Sequence, residues 1–298
     1  MMMKRCAALL ALLCCTAQAW AQDIDSTYLQ YGTMLRLRLT NAPFPDNARA
    51  EGHTYEGQLY PAARHYTDST VLVFVPKKFA QRSAADVVLY LHGWRNNVDS
   101  AMARFHIFQQ FVQADKNAIL IVPEVAKNAP DSHGGKLERN GGLAALVNEV
   151  INELTKRQLL KSNRVGAVAL AGHSGAYRPL AYMAQQGGLP VSEIYLLDGL
   201  YGQTHKFAHW VEKNPKARLL TIYTETGGTK VISEEFYADL KQWGLDPAFH
   251  KELDASLADL EKNRIIFLQS TSSHDEVVYK NNTLYKFLAT SPNLKELE

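Results

Sequence analysis

The sequence predicts an α/β fold, a mainly parallel sheet of about eight strands with helices on both faces. Two observations carry this. Short apolar runs alternate with amphipathic stretches along most of the chain, the pattern of strands followed by crossover helices. The run 165–171 (VGAVALA) is apolar throughout, as a strand covered on both faces requires. Composition agrees. Of 298 residues, 46% are apolar and 21% charged, the balance of a globule with a sizeable core.

Residues 33–39 (TMLRLRL) alternate apolar and polar as a half-buried edge strand does, and 71–75 (VLVFV) form a second strand stopped by Pro76. The run 87–91 (VVLYL) ends at His92-Gly93, and 100–114 forms a helix with Ala101, Phe105, Phe108 and Val112 on one side. A strand at 118–122 is followed by a long polar connection, 123–141, which leaves the sheet edge where such folds place their sites and so should wall one. Helices are expected at 143–154, 176–186, 233–243, 250–262 and 276–289. The remaining strands are expected at 165–171, 193–197, 217–223 and 265–269. No internal repeat or low-complexity linker divides 22–298, which reads as one domain.

The first 21 residues read as a signal peptide. Lys4 and Arg5 precede an apolar stretch too short to span a bilayer, and Ala19 and Ala21 supply small residues for cleavage. Removal would take away all three cysteines and leave 30 basic against 30 acidic residues. That neutral balance gives no reason to propose nucleic acid as partner, and no later segment reads as a transmembrane anchor. A periplasmic or secreted protein is therefore expected.

Residues 172–176 (GHSGA) set Ser174 between the apolar strand and a helix. Small residues two positions either side, Gly172 and Ala176, let strand and helix pass closely, and the helix N-terminus points at the hydroxyl. With His92-Gly93 after an early strand and Ser272-Ser273-His274-Asp275-Glu276 after the last, the chain resembles the α/β-hydrolase superfamily over nearly its whole mature length. The usual motif ends in Gly where this chain has Ala176.

The resemblance implies Ser174 as nucleophile, His274 as base, and the backbone N–H groups of Gly175 and Trp94 as an oxyanion hole. His92 more naturally shapes its loop than moves protons. The acid is open between two carboxylates. Asp198 leaves an apolar strand on a short side chain and is favoured, whereas Glu225 sits in a polar turn at the superfamily's commoner position. The rim residues Arg95, Asn96, Lys136, Arg139, Tyr177, Arg178 and Tyr201 are candidates for substrate binding. Their polar and aromatic mixture suits a small or cell-envelope substrate better than a long acyl chain.

His205 and His209 have ligand spacing but no third partner, so no metal is expected. Residues 226–230 (TGGTK) lack the longer glycine loop of a phosphate site, and no dinucleotide fingerprint occurs, so no cofactor is expected. Ester hydrolysis is the expected activity. A peptidase or amidase, and a non-enzymatic binder on the same scaffold, are the alternatives.

Overall fold

A computed structural model describes residues 26–81 and 83–298; the signal-peptide reading of residues 1–21 lies outside them. Its strands in chain order are β1 (Gly32–Arg38), β2 (His53–Tyr55), β3 (Gln58–Tyr60), β4 (Thr70–Pro76), β5 (Ala85–Leu91) and β6 (Ala118–Pro123). Then follow β7 (Val165–His173), β8 (Glu193–Leu197), β9 (Arg218–Thr224), β10 (Ala248–Lys251) and β11 (Ile265–Ser270). Nine of them form one sheet in the order β1-β4-β6-β5-β7-β8-β9-β11-β10, while β2 and β3 form a separate hairpin. β4 pairs antiparallel with both β1 and β6, and every other pairing in the large sheet is parallel.

The apolar strands explain how the layers stack. On β5, Val87, Leu89 and Leu91 face one layer while Val88 and Tyr90 face the other, and all five are fully buried. One layer holds the helices Gly142–Lys156, Tyr177–Gln186, Thr204–Lys213 and Lys230–Gln242. The other holds Val98–Arg104, Ile107–Gln113, Glu276–Tyr279 and Thr283–Ala289. Burying one such aliphatic side chain contributes about 1.5–3 kcal/mol, so β5 and β7 are firm supports for the loops that leave them.

Register places those loops together. Leu91 lies beside Gly172, His173 beside Leu197, Leu197 beside Ile222, and Thr224 beside Ser270. The turns after β5, β7, β8, β9 and β11 therefore emerge at one edge. The strand order also reverses at β5, which lies between β6 and β7, and open α/β sheets form their crevices at such a point.

Three local expectations are corrected. The helix expected over 100–114 is two, because His106 takes a left-handed backbone (φ 50°) and Gln110 Nε2 donates to the Phe105 carbonyl at 2.8 Å. The closing helix likewise breaks at Asn282 (φ 52°), a residue type that tolerates this region. The helix expected over 250–262 starts only at Leu257, because residues 248–251 form a ninth strand; the open backbone edge of β11 offers hydrogen bonds that outweigh local helical preference. At the opposite flank, β1 carries Arg36 and Arg38, paired with Asp99 and Asp68. No helix among the described residues is long and apolar enough to cross a membrane.

Candidate active site

β7 ends at His173, and the chain turns through Ser174–Ala176 into the helix Tyr177–Gln186. Ser174 has φ 55°, a left-handed conformation that costs a residue with a β-carbon roughly 1–3 kcal/mol. The close crossing of strand and helix holds it there. A β-carbon added to Gly172 would stand 2.7 Å from Ala176 Cβ and 2.8 Å from Leu180 Cδ1. The methyl of Ala176 itself fits, 3% exposed.

The hydroxyl so presented meets an imidazole. Ser174 Oγ lies 2.9 Å from His274 Nε2, and His274 Nδ1 lies 2.6 Å from Asp198 Oδ2. An ionised carboxylate only accepts, so Nδ1–H donates to Asp198 and Nε2 is left to accept from the serine. Asp198 is fully buried, directly after β8, with φ 44°. The Thr224 amide donates to its Oδ1 at 3.0 Å, the Thr224 hydroxyl to its Oδ2 at 2.8 Å, and the Thr229 hydroxyl to Oδ1. Burial pushes this carboxyl up, but the hydrogen bonds from His274, Thr229 and Thr224 outweigh it and hold it below the usual aspartate range.

Glu225, the other candidate acid, does not reach His274. Its carboxylate accepts from Gln269 and lies 3.7 Å from Lys230 Nζ in a half-exposed turn.

His173 is a site residue that the sequence analysis did not single out. It is buried, its ring centroid 4.5 Å from that of His274 and 5.0 Å from that of Phe105. A carbonyl cannot donate, so His173 Nε2–H donates to the His274 carbonyl at 2.9 Å. Burial, then the neighbouring His274, pushes His173 down to about 4. His173 is thus a neutral brace under the His274 backbone.

Around β5, His92 Nε2 meets Glu124 at 2.7 Å, its Nδ1 meets the Gly93 carbonyl at 2.8 Å, and Glu124 also accepts from the Val98 amide at 3.3 Å. His92 is therefore committed to loop shape. The loop brings Trp94 against the turn at Ser174. A β-carbon on Gly175 would lie 2.2 Å from Trp94 Cδ1, so only glycine admits the indole, which in turn donates to Ser132 Oγ at 2.7 Å.

These groups open into a cavity of about 560 Å³. Trp94, Arg95, Asn96, Tyr177 and Tyr201 line it beside Ser174, Gly175 and His274. Lys136, Arg139 and Arg178 do not, which corrects their placement on the rim. Lys136 donates to the Thr40 carbonyl at 2.8 Å, Arg139 pairs with Asp46 at 2.5 Å, and Arg178 forks onto Glu138 with both bonds at 2.8 Å. Each meets a partner from another part of the chain. The lining also includes Arg104, Phe105, Ser132 and Asp275. Ser132 belongs to the 123–141 connection expected to wall the site, and Asp275 directly follows His274. Nothing local to the sequence marks Arg104 and Phe105, which end a helix and meet Asp275 and His173. Among the described residues, no group of three or more His, Cys, Asp or Glu side chains is placed to hold a metal ion.

No family model matches the sequence, and no curated protein matches it. Solved structures do match. The fluorophosphonate-binding serine hydrolase F of Staphylococcus aureus, substrate bound, has a TM-score of 0.52 at 12% identity, over 87% of this chain and 97% of that one. The feruloyl esterase module from Clostridium thermocellum, complexed with sinapinate, has a TM-score of 0.53 at 11% identity, over 93% and 95%. The S-formylglutathione hydrolase of Staphylococcus aureus has a TM-score of 0.51 at 11% identity, over 86% and 96%. With the sheet order and the turn at Ser174, these likenesses show that the chain adopts the α/β-hydrolase fold.

Proposed function

We propose that this chain is an exported serine hydrolase that cleaves carboxylic esters with small or polar acyl groups. The observation that carries the reading is the continuous relay of Asp198, His274 and Ser174, with contacts of 2.6 and 2.9 Å, opening into a cavity. Ser174 Oγ attacks the ester carbonyl while His274 Nε2 takes its proton. The resulting oxyanion is received by the amides of Trp94 and Gly175, fixed donors that need no reorganisation as charge develops. Asp198 stabilises the imidazolium, which then protonates the departing alkoxide. Water, deprotonated by His274, attacks the acyl-enzyme; the tetrahedral adduct collapses, the proton returns to Ser174 Oγ, and the carboxylic acid leaves.

An ester is favoured over an amide because an alcohol leaves more readily than an amine, and because the structurally similar proteins are named as a feruloyl esterase and an S-formylglutathione hydrolase. The cavity is walled by Trp94, Tyr177 and Tyr201 together with Arg95 and Asn96, which supports a compact substrate rather than a long chain. Export rests on the leader-like first 21 residues.

The test is turnover of short phenyl and 4-nitrophenyl esters, with fluorophosphonate labelling, by the wild-type and Ser174→Ala proteins. The variant should lose at least roughly 10³-fold in kcat and all labelling, with its thermal melt preserved. A folded variant that turns over at the wild-type rate would refute the assignment.

A further inference from the structure

We propose that Arg95 binds a carboxylate on the substrate, so that the preferred ester is an anionic one. This rests on the ester-hydrolase reading above and names its substrate class.

The charges of the cavity carry the inference. Two arginines and one aspartate line it, apart from its histidines. Arg104 and Asp275 are 2.5 Å apart and cancel each other. Arg95 is left over. Among the described residues its side chain makes no hydrogen bond and no ion pair, whereas Lys136, Arg139 and Arg178 each have an acceptor within the fold. A guanidinium that the protein leaves unpaired in the wall of its catalytic cavity is available to a ligand.

Its backbone is not a loose tether. Arg95 takes a left-handed conformation (φ 53°), and its amide donates to the Ala129 carbonyl at 2.9 Å. The next residues tie the same two loops together. The Asn128 amide donates to the Asn96 carbonyl at 2.7 Å, and Asn97 Nδ2 donates to Asn128 Oδ1 at 2.8 Å. On the other side, the Trp94 indole is held by Ser132 and by the edge of the Tyr55 ring, 5.2 Å between centroids. The side chain therefore springs from a fixed backbone one residue beyond Trp94, in the wall of the cavity that also holds Ser174.

Arginine presents a planar fork of donors that matches the two oxygens of a carboxylate. Arg95 is exposed at the cavity wall, so a substrate carboxylate reaches the guanidinium without displacing a partner of the protein's own. A neutral ester gains nothing from the same group.

The experiment compares matched esters with the charge on either side of the scissile bond. 4-Acetoxybenzoate is paired with 4-acetoxybenzamide for the alcohol side, and monophenyl adipate with phenyl hexanoate for the acyl side. The quantity read is the ratio of kcat/KM, anionic over neutral, in wild type, Arg95→Gln and Arg95→Lys. The ratio should fall roughly 10- to 100-fold in Arg95→Gln for at least one pair, chiefly through KM. Arg95→Lys keeps the charge without the fork and should recover part of the loss. Added salt should weaken the wild-type preference and not that of Arg95→Gln.

A ratio unchanged within about threefold in both pairs, with a folded variant, overturns the role of Arg95 and leaves the hydrolase reading standing. If Arg95→Gln does not fold, an unchanged ratio in Arg95→Lys across the salt range overturns it as well. Wild-type protein that cleaves none of the four esters and takes no fluorophosphonate label overturns both.

Discussion

The relay is most sharply tested at Asp198, where the structure dictates which way an asparagine must sit. In Asp198→Asn the oxygen has to stay at the Oδ1 position, because the Thr224 amide 3.0 Å away can only donate. The new NH₂ is thereby forced to the Oδ2 position, 2.6 Å from His274 Nδ1. That nitrogen must then accept, which moves the imidazole proton to Nε2, where it can no longer take the proton of Ser174.

Restoring the productive tautomer would require flipping the amide against Thr224 and leaving a buried donor unpaired, about 1–3 kcal/mol. The imidazolium would also lose a charge-assisted hydrogen bond, about 1.5–3 kcal/mol. Together these amount to roughly 10²- to 10⁴-fold in kcat; the upper end matches the loss of about 10⁴ known for the equivalent change in a serine protease.

The assay is steady-state hydrolysis of a short ester beside Glu225→Gln, whose carboxylate is half exposed and should cost less than about threefold. The same variant has a signature in stability. Asp198 titrates below the ordinary aspartate value in the fold. Its ionised form therefore stabilises the protein fully above about pH 4 and loses that contribution as pH falls through the lower, folded value. Thermal melts of Asp198→Asn should show a flatter acid limb than wild type. Retention of more than a tenth of wild-type kcat in folded Asp198→Asn, or a crippled Glu225→Gln, would refute this reasoning.

Two further outcomes follow from other parts of the molecule. His173→Leu removes the donor to the His274 carbonyl and should lower kcat about tenfold with little change in KM. His173→Gln, which can still reach that carbonyl, should restore most of it, and equal losses in both would reduce His173 to packing. Mass spectrometry of the protein recovered outside the cytoplasm of an expressing cell should find a chain beginning near Gln22 and free of cysteine. Retention of Cys14 or Cys15 would contradict export by cleavage.

Where the sequence spoke clearly, a single local pattern was enough. The apolar run ending in Gly172-His173-Ser174-Gly175-Ala176 is both a strand and its turn, and five small or polar residues in a row leave it few other conformations. Strands buried on both faces were legible for the same reason. Helix breaks at His106 and Asn282 were not, because a single left-handed residue leaves the apolar periodicity intact on either side of it. The ninth strand was hidden because its reason lies in β11, not in its own four residues.

Site charges were the least legible. Arg178 and Glu138 are 40 positions apart and Arg139 and Asp46 are 93 apart, so no window of sequence shows that these arginines are already satisfied. Arg104 enters the cavity by the same long-range logic. Asp198 over Glu225 was arguable from burial, since an aspartate following an apolar strand needs partners to remain charged.

The two outer strands of the sheet bear on how the molecule behaves in company. An outermost strand offers unpaired amides and carbonyls to any other chain, and β11, with its run Ile265-Ile266-Phe267-Leu268, would be a strong template for such growth. The four residues of β10 occupy that template and are too few to offer another strand more than a short ladder. At the far flank Arg36 and Arg38 project from β1 and are tied to carboxylates of the same molecule. An approaching strand would have to desolvate these ion pairs before any backbone could pair. Both ends of the sheet thus carry features that oppose edge-to-edge pairing, and β11, which leads into the turn that holds His274, is not itself an edge.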